Sequence, residues 1–153
     1  MRRVVVTGRG IVSSIGNNVN EVLESLKSAR SGIVAAADYS RLGFRCRVHG
    51  APQIDAEALV DRRAMRFHGG GTAWNHIAMD QAIANAGLSD SDVSNERTGI
   101  IMGSGGPSTR VIVESADITR EKGPKRVGPF AVPKAMCSTN ARRKPGSSKR
   151  CSW

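Results

Sequence analysis

The spacing of apolar positions along this chain changes several times, and each change marks an element. Arg3 to Thr7 contains three consecutive valines, a β-branched run that predicts a short buried strand stopped by Gly8 and Gly10. An apolar loop runs on to Gly16. Asn18 then offers an N-cap with Glu21 three residues on, a spacing like a capping box, and Val19, Val22, Leu23 and Leu26 follow at helical intervals until Ser31-Gly32. Residues 33–56, punctuated by Tyr39, Gly43, Gly50 and Pro52, predict short irregular strands and loops. Asp55 to Phe67 predicts a helix, amphipathic through Leu59, Val60, Ala64 and Met65. The run Gly69-Gly70-Gly71 precedes the strongest helical stretch, Thr72 to Ala86, whose stripe includes Ala73, Ile77, Ala82 and Ile83, with Gly87 at the stop position. Ser89 to Arg97 reads as a polar connection and Thr98 to Met102 as a second buried strand. Residues 108–120 form another predicted helix, Lys122 to Pro133 a Gly/Pro loop, and Lys134-Ala135-Met136 the start of one more helix. Strand, helix, helix, strand, helix is the rhythm of a layered α/β domain, assigned to residues 1–139.

Beyond Thr139 the periodicity stops. Residues 140–153 are rich in Arg, Lys, Ser, Pro and Gly, and such a segment buries too little apolar surface to offset its ordering entropy, so it is expected to be a disordered basic tail. Locating the charge changes its meaning. The tail carries Arg142, Arg143, Lys144, Lys149 and Arg150 with no acid, half of the formal net charge of +10. The body is therefore only moderately basic, and its charge makes a weak case for nucleic acid as a partner. No apolar run approaches the length that crosses a bilayer. The N-terminus has no apolar segment of secretory type, and Cys46, Cys137 and Cys151 show no pairing or metal spacing, so a cytoplasmic protein with reduced thiols is expected.

Candidate chemistry is sparse. Gly8-Arg9-Gly10 follows a predicted strand, but Ser13 replaces the third glycine of a dinucleotide turn, the helix starts late and Arg30 occupies the zone of the acidic residue, so a tight structural turn is the better reading. Gly103-Ser104-Gly105-Gly106 precedes a helix and could present backbone amides to an anion or oxyanion, or simply let the backbone pack closely beside a pocket. No Gly-Lys-Ser/Thr makes it a P-loop. His49, His68 and His76 share no ligand spacing, and no metal site or cofactor is expected. Cys46, between Arg45 and Arg47, reads as part of a basic surface strand. Two basic clusters remain: Arg62, Arg63 and Arg66 on a helix, and Lys122, Lys125 and Arg126 in a loop. They are either solvated faces or a docking surface for an acidic partner. Without interleaved aromatics, single-stranded nucleic acid is a poor fit.

Taken together, six stretches resemble the β-ketoacyl-acyl-carrier-protein synthases, the condensing enzymes of bacterial fatty acid synthesis, and most closely the synthase I group. They are Val5-Val6-Thr7-Gly8-x-Gly10-Ile11-Val12-Ser13-Ser14-Ile15-Gly16-Asn17, then Arg30-Ser31-Gly32-Ile33, Asp61-Arg62-x-x-x-Arg66-Phe67, Gln81-Ala82-Ile83-Ala84-x-Ala86-Gly87-Leu88, Gly103-Ser104-Gly105-Gly106, and Val127-Gly128-Pro129-Phe130 with Lys134-Ala135-Met136. The resemblance implies part of a thiolase-like layered α/β fold, in a family that works as a homodimer. It implies decarboxylative condensation of malonyl-carrier protein with an acyl group held on a cysteine, assisted by two histidines. That cysteine and both histidines belong to family segments beyond Lys134-Ala135-Met136, and none of them is among these residues, so the chain by itself is expected to be inactive. Cys137 stands where the family has a small residue and is no substitute.

By the same resemblance Gly105, Gly106 and Met136 border the acyl pocket, and Arg63, Arg66, Lys122 and Lys125 meet the acidic acyl-carrier protein. Three positions depart from the pattern: Arg9 replaces an apolar residue, Gly70 loosens the start of the long helix, and Asn140-Ala141-Arg142-Arg143-Lys144-Pro145 replaces an apolar helix. The last departure is what a shifted reading frame or truncation would produce. Two other functions fit less of the sequence: a non-catalytic module that binds carrier protein or a subunit, and a small basic nucleic-acid-binding protein.

Overall fold

The computed structural model describes residues 3–141, and they form two compact units: residues 3–55 with Ala78–Ala86, and Ala56–Ile77 with residues 87–141. In the first unit the predicted strand at residues 3–7 joins no ladder. Val4, Val5 and Val6 are 93%, 73% and 89% exposed, because a β-branched run becomes a strand only when a neighbouring strand takes up its backbone groups. Just downstream, helix side chains do that work. The helix α5, Gly70–Ala86, carries Gln81 and Asn85 one turn apart. Asn85 Oδ1 accepts from the Arg9 amide at 3.2 Å, Gln81 Oε1 from the Ile11 amide at 3.1 Å, and Gln81 Nε2 donates to the Asn17 carbonyl at 2.7 Å. A Cβ on Gly8 would lie 2.3 Å from the Ala82 carbonyl oxygen, and one on Gly10 1.9 Å from that of Ala78. These glycines therefore serve close approach to α5 rather than the tight turn that the sequence suggested.

Helix α1, Val19–Lys27, starts as predicted and ends earlier, with Ala29 in a left-handed conformation at φ 53°. Asn18 Oδ1 accepts from the Glu21 amide at 3.0 Å. Glu21 reaches one residue further back than a capping box requires, accepting from the Asn17 amide at 2.7 Å and from Asn18 Nδ2 at 2.6 Å. Ser25, only 1% exposed, donates to the Ile15 carbonyl and accepts from Arg30 Nε and Nη2 at 3.1 and 2.8 Å, which fastens the residues on both sides of α1 to its inner face. Two short strands follow, β1 (Ile33–Ala35) and β2 (Val48–Gly50), antiparallel with Val34 opposite His49. Helix α2, Ala37–Arg41, lies in their connection, where Tyr39 packs against the rings of Phe44 and His49.

In the second unit the predicted helix of residues 55–67 is broken into α3 (Ala56–Leu59) and α4 (Arg62–Met65). The break has a local cause: Asp61, at φ −50° and ψ 134°, turns its carboxylate onto the amides of Arg63 and Ala64 and so caps a new helix instead of continuing the old one. Helix α5 begins inside the glycine run, at Gly70, two residues before the sequence placed it. The connection at residues 89–97 contains α6 (Asp90–Val93), set off by a reciprocal capping box between Ser89 and Asp92. The second predicted strand, residues 98–102, is also missing, and Ile101 is 99% exposed. Helix α7, Thr109–Lys122, is followed by a 3₁₀ turn at Pro124–Arg126, helix α8 (Ala131–Ala135) and a 3₁₀ turn at Cys137–Ala141. The final helix therefore ends, rather than begins, around Lys134-Ala135. Asn140 and Ala141, where the disordered tail was expected to start, close this last turn, and Asn140 accepts from Asn75 at 3.0 Å. Residues 142–153 lie outside the described residues. The buried apolar side chains are small: Val60, Ala64, Ala73 and Ile77 here, with Ala36 in the first unit.

The glycines separate into required and replaceable ones. Gly10→Ala is expected to cost about 1–3 kcal/mol, because its Cβ has to displace helix backbone. Gly70→Ala, with nothing within 4 Å of its Cβ, is expected to gain up to about 0.5–1 kcal/mol of helix propensity. Opposite shifts in resistance to limited proteolysis would bear this out; equal behaviour would refute it.

The Ser89 hydroxyl and amide hold the Asp92 carboxyl below its ordinary value of 3.8. A carboxyl depressed in the folded state supports α6 at any pH above 3.8 and loses that support as the pH falls through its lower folded value. The Ser89 amide resonance should therefore titrate only below about pH 4, and Asp92→Asn should abolish that titration.

Candidate functional site

The residues assigned to the pocket wall fall in the second unit. Gly103, Gly105 and Gly106 lie in the loop before α7, and a Cβ on any of them would meet nothing within 4 Å. The loop is thus open on the side where a side chain would project. Ser104 Oγ donates to the Gly106 carbonyl at 2.8 Å and shapes the turn. Directly after the loop, Ser108 is the N-cap of α7, and its amide donates to the Ala135 carbonyl at 2.9 Å. Met136, next to Ala135, is the C-cap of α8 and is about half exposed. One backbone hydrogen bond thus ties the glycine loop to the segment that bears Met136. Gly69 closes the same junction, since a Cβ there would stand 2.8 Å from the Lys134 carbonyl oxygen and 3.1 Å from Ser108 Oγ.

The four assigned cations are in this unit too. Arg63 lies in α4 with Arg66 at its C-cap; Lys122 ends α7, and Lys125 is in the 3₁₀ turn that follows. All four are exposed. Other basic residues are engaged: Arg110 pairs with Glu114 at 3.4 Å, Arg120 with Asp117 at 2.9 Å, and Arg41 with Asp38 at 3.2 Å. Among the described residues, Arg63, Arg66, Lys122 and Lys125 have no such acid partner. The two basic segments, some 55 residues apart in sequence, are joined by an aromatic contact. Phe67, adjacent to Arg66, packs edge-on against Phe130, which follows the 3₁₀ turn, with ring centres 5.1 Å apart.

Sequence reasoning missed two features. In the first unit a cleft of about 420 Å³ is lined by Ser13, Ser14, Asn17, Arg30, Ser31 and Gln53 among others, and it contains none of the assigned site residues. In the second unit the His68 and His76 rings approach to 5.1 Å between centres. The spacing of eight residues concealed that pair, in which His68 precedes α5 and His76 lies on it. Cys46 and Cys137 are both exposed free thiols. Among the described residues no group of three or more His, Cys, Asp or Glu side chains is placed to hold a metal ion, and no helix is long and apolar enough to cross a membrane.

Comparison with known proteins gives a consistent picture. Residues 1–143 match the family model of the beta-ketoacyl synthase N-terminal domain. The chain is 47% identical over 140 residues to 3-oxoacyl-[acyl-carrier-protein] synthase 1 of Escherichia coli K12, and 41% identical over 140 residues to the Haemophilus influenzae protein of that name. These alignments cover 90% and 91% of this chain and 34% of each relative, so the chain spans about a third of the length of the curated relatives it matches. A beta-ketoacyl synthase from Burkholderia phymatum superposes with a TM-score of 0.76 at 26% identity, covering 92% of this chain and 35% of that one. A type II polyketide ketosynthase solved with its acyl-carrier protein superposes with a TM-score of 0.69 at 17% identity, covering 90% and 36%, a likeness of fold. The described segment is thus part of a thiolase-like ketosynthase fold of mixed helix and strand.

Proposed function

The chain belongs to the β-ketoacyl synthase family through its N-terminal domain, and we propose that it supplies the pocket edge and the carrier-protein face of a fatty-acid condensing enzyme. The match of residues 1–143 to the domain model carries this reading. In the intact enzyme, malonyl-carrier protein would lose carbon dioxide. The resulting carbanion would attack an acyl group held as a thioester on a cysteine, whose thiolate then leaves. Gly105, Gly106 and Met136 would border the acyl chain: two residues without side chains leave room, and a flexible thioether fills what remains. Arg63, Arg66, Lys122 and Lys125 would face the acidic acyl-carrier protein. Free guanidinium and ammonium groups steer an acidic partner more effectively than cations already neutralised by neighbours. The ketosynthase part would run through Ala141, past the boundary at Thr139 drawn from the sequence, since Asn140 and Ala141 close its last turn. The enzyme would act as a homodimer in the cytoplasm, without a cofactor.

The 153 residues by themselves are expected to show no condensation. Neither exposed thiol, Cys46 or Cys137, stands in a segment that resembles the family's nucleophile motif. The assay supplies malonyl- and acyl-carrier protein and detects the 3-oxoacyl product by mass. Turnover that Cys137→Ala abolishes would overturn the assignment of that thiol as non-catalytic.

Charge reversal at Arg63 and Arg66 tests the docking face. Each exposed pair contributes only about 0.2–1 kcal/mol, so binding to immobilised acyl-carrier protein should be weak and salt-sensitive. Arg63→Glu with Arg66→Glu should slow association by roughly tenfold while changing dissociation little. Equal association of wild type and variant at low salt would reduce these residues to a solvated face.

A further inference from the structure

The pair formed by His68 and His76 is not used by the condensation reading. His68 is buried next to the end of α4, and His76 is half-buried on α5; their ring planes are inclined by 55° and their centres are 5.1 Å apart. Both belong to the second unit. We propose that these two imidazoles form a binding site for a borderline transition-metal cation, with Zn²⁺ as the leading case.

The argument starts from distance. Zinc binds imidazole nitrogen at about 2.0–2.1 Å and prefers tetrahedral geometry, which sets the centres of two imidazole ligands on one ion about 5 Å apart. The 5.1 Å separation of the His68 and His76 ring centres matches that spacing. Donor chemistry narrows the ion: imidazole suits zinc, nickel and copper, whereas magnesium and calcium want oxygen ligands. The surroundings set the strength. No third His, Cys, Asp or Glu side chain completes a cluster among the described residues, so water fills the remaining positions and the ion exchanges readily. Half-buried His76 gives the ion its way in, while buried His68 forms the fixed side of the site.

The experiment uses the untagged full chain, with Cys46, Cys137 and Cys151 changed to Ser in a parallel sample so that thiols do not compete for zinc. Zn²⁺ is titrated while the imidazole C–H resonances are followed by NMR. A saturable one-to-one shift of His68 and His76, leaving His49 unmoved, is expected, with no response to Mg²⁺. His76→Gln should weaken zinc binding at least tenfold in calorimetry. Absence of a saturable shift, or an equal shift at His49, would overturn the site; because this readout needs no histidine substitution, it decides the matter even if His76→Gln fails to fold. Zinc affinity unchanged in a folded His76→Gln chain would likewise refute it. Carrier-protein binding by the same samples tests the docking face separately, since neither histidine is among the four cations.

Discussion

Gln81 satisfies backbone groups at two places on one chain segment, and the first unit is organised around that fact. Its carbonyl oxygen accepts from Ile11 and its amide nitrogen donates to Asn17, while Asn85, one turn on, accepts from Arg9. Backbone amides outside helices and sheets must find partners somewhere, and here they find them on a helix surface. The arrangement works only if the segment lies almost against the helix. That is why Gly8 and Gly10 have no space for a Cβ. Arg9, between them, is the residue that departs from the family pattern. Its amide is held by Asn85 while the residue as a whole is exposed, so no guanidinium has to be buried at this position.

Helices were legible in the sequence where their determinants are local. The start of α1 follows from Asn18 and Glu21, and α5 and α7 follow from apolar spacing and a terminal glycine. Local chemistry also explains two errors. Asp61 was taken as one more polar position on a helix, although an aspartate ahead of Arg62-Arg63-Ala64 can equally cap a new one, and it does. Ser89 and Asp92 stand in capping-box spacing, a visible signal inside a stretch read as mere connection. The two valine- and isoleucine-rich segments went wrong for another reason. Strand formation depends on a neighbour, which a run of β-branched residues cannot specify, and around residues 3–7 and 98–102 the described chain supplies none.

Motifs in the sequence named the candidate site residues but not their arrangement. Motif matches put Gly105, Gly106 and Met136 side by side as candidates, but the physical tie between their segments is the hydrogen bond from Ser108, just past the glycine motif, to Ala135, inside Lys134-Ala135-Met136, which neither motif specifies. The edge-on contact of Phe67 with Phe130 plays the same part for the basic segments. Each link joins a residue in or beside a matched motif to a partner far along the chain. Residue type alone announces candidate chemistry; long-range packing decides which candidates meet. His68 and His76 make the converse point, since they were set aside on spacing and then met in space.

The pattern of ion pairing bears on how this surface would act. Along α7, Arg110 and Arg120 each have an acid within one turn, which stabilises an exposed helix slightly and cancels the local field. Among the described residues, the cations at the end of that helix and in the following turn have no such neutralising neighbour. A field that reaches a diffusing partner has to come from charges not already compensated, and at physiological salt it extends only about 8 Å from them. Such a surface gains encounter rate more than residence time. That division would suit the proposed carrier, which would have to deliver its substrate and then leave, and the four cations are exposed as such a surface would require.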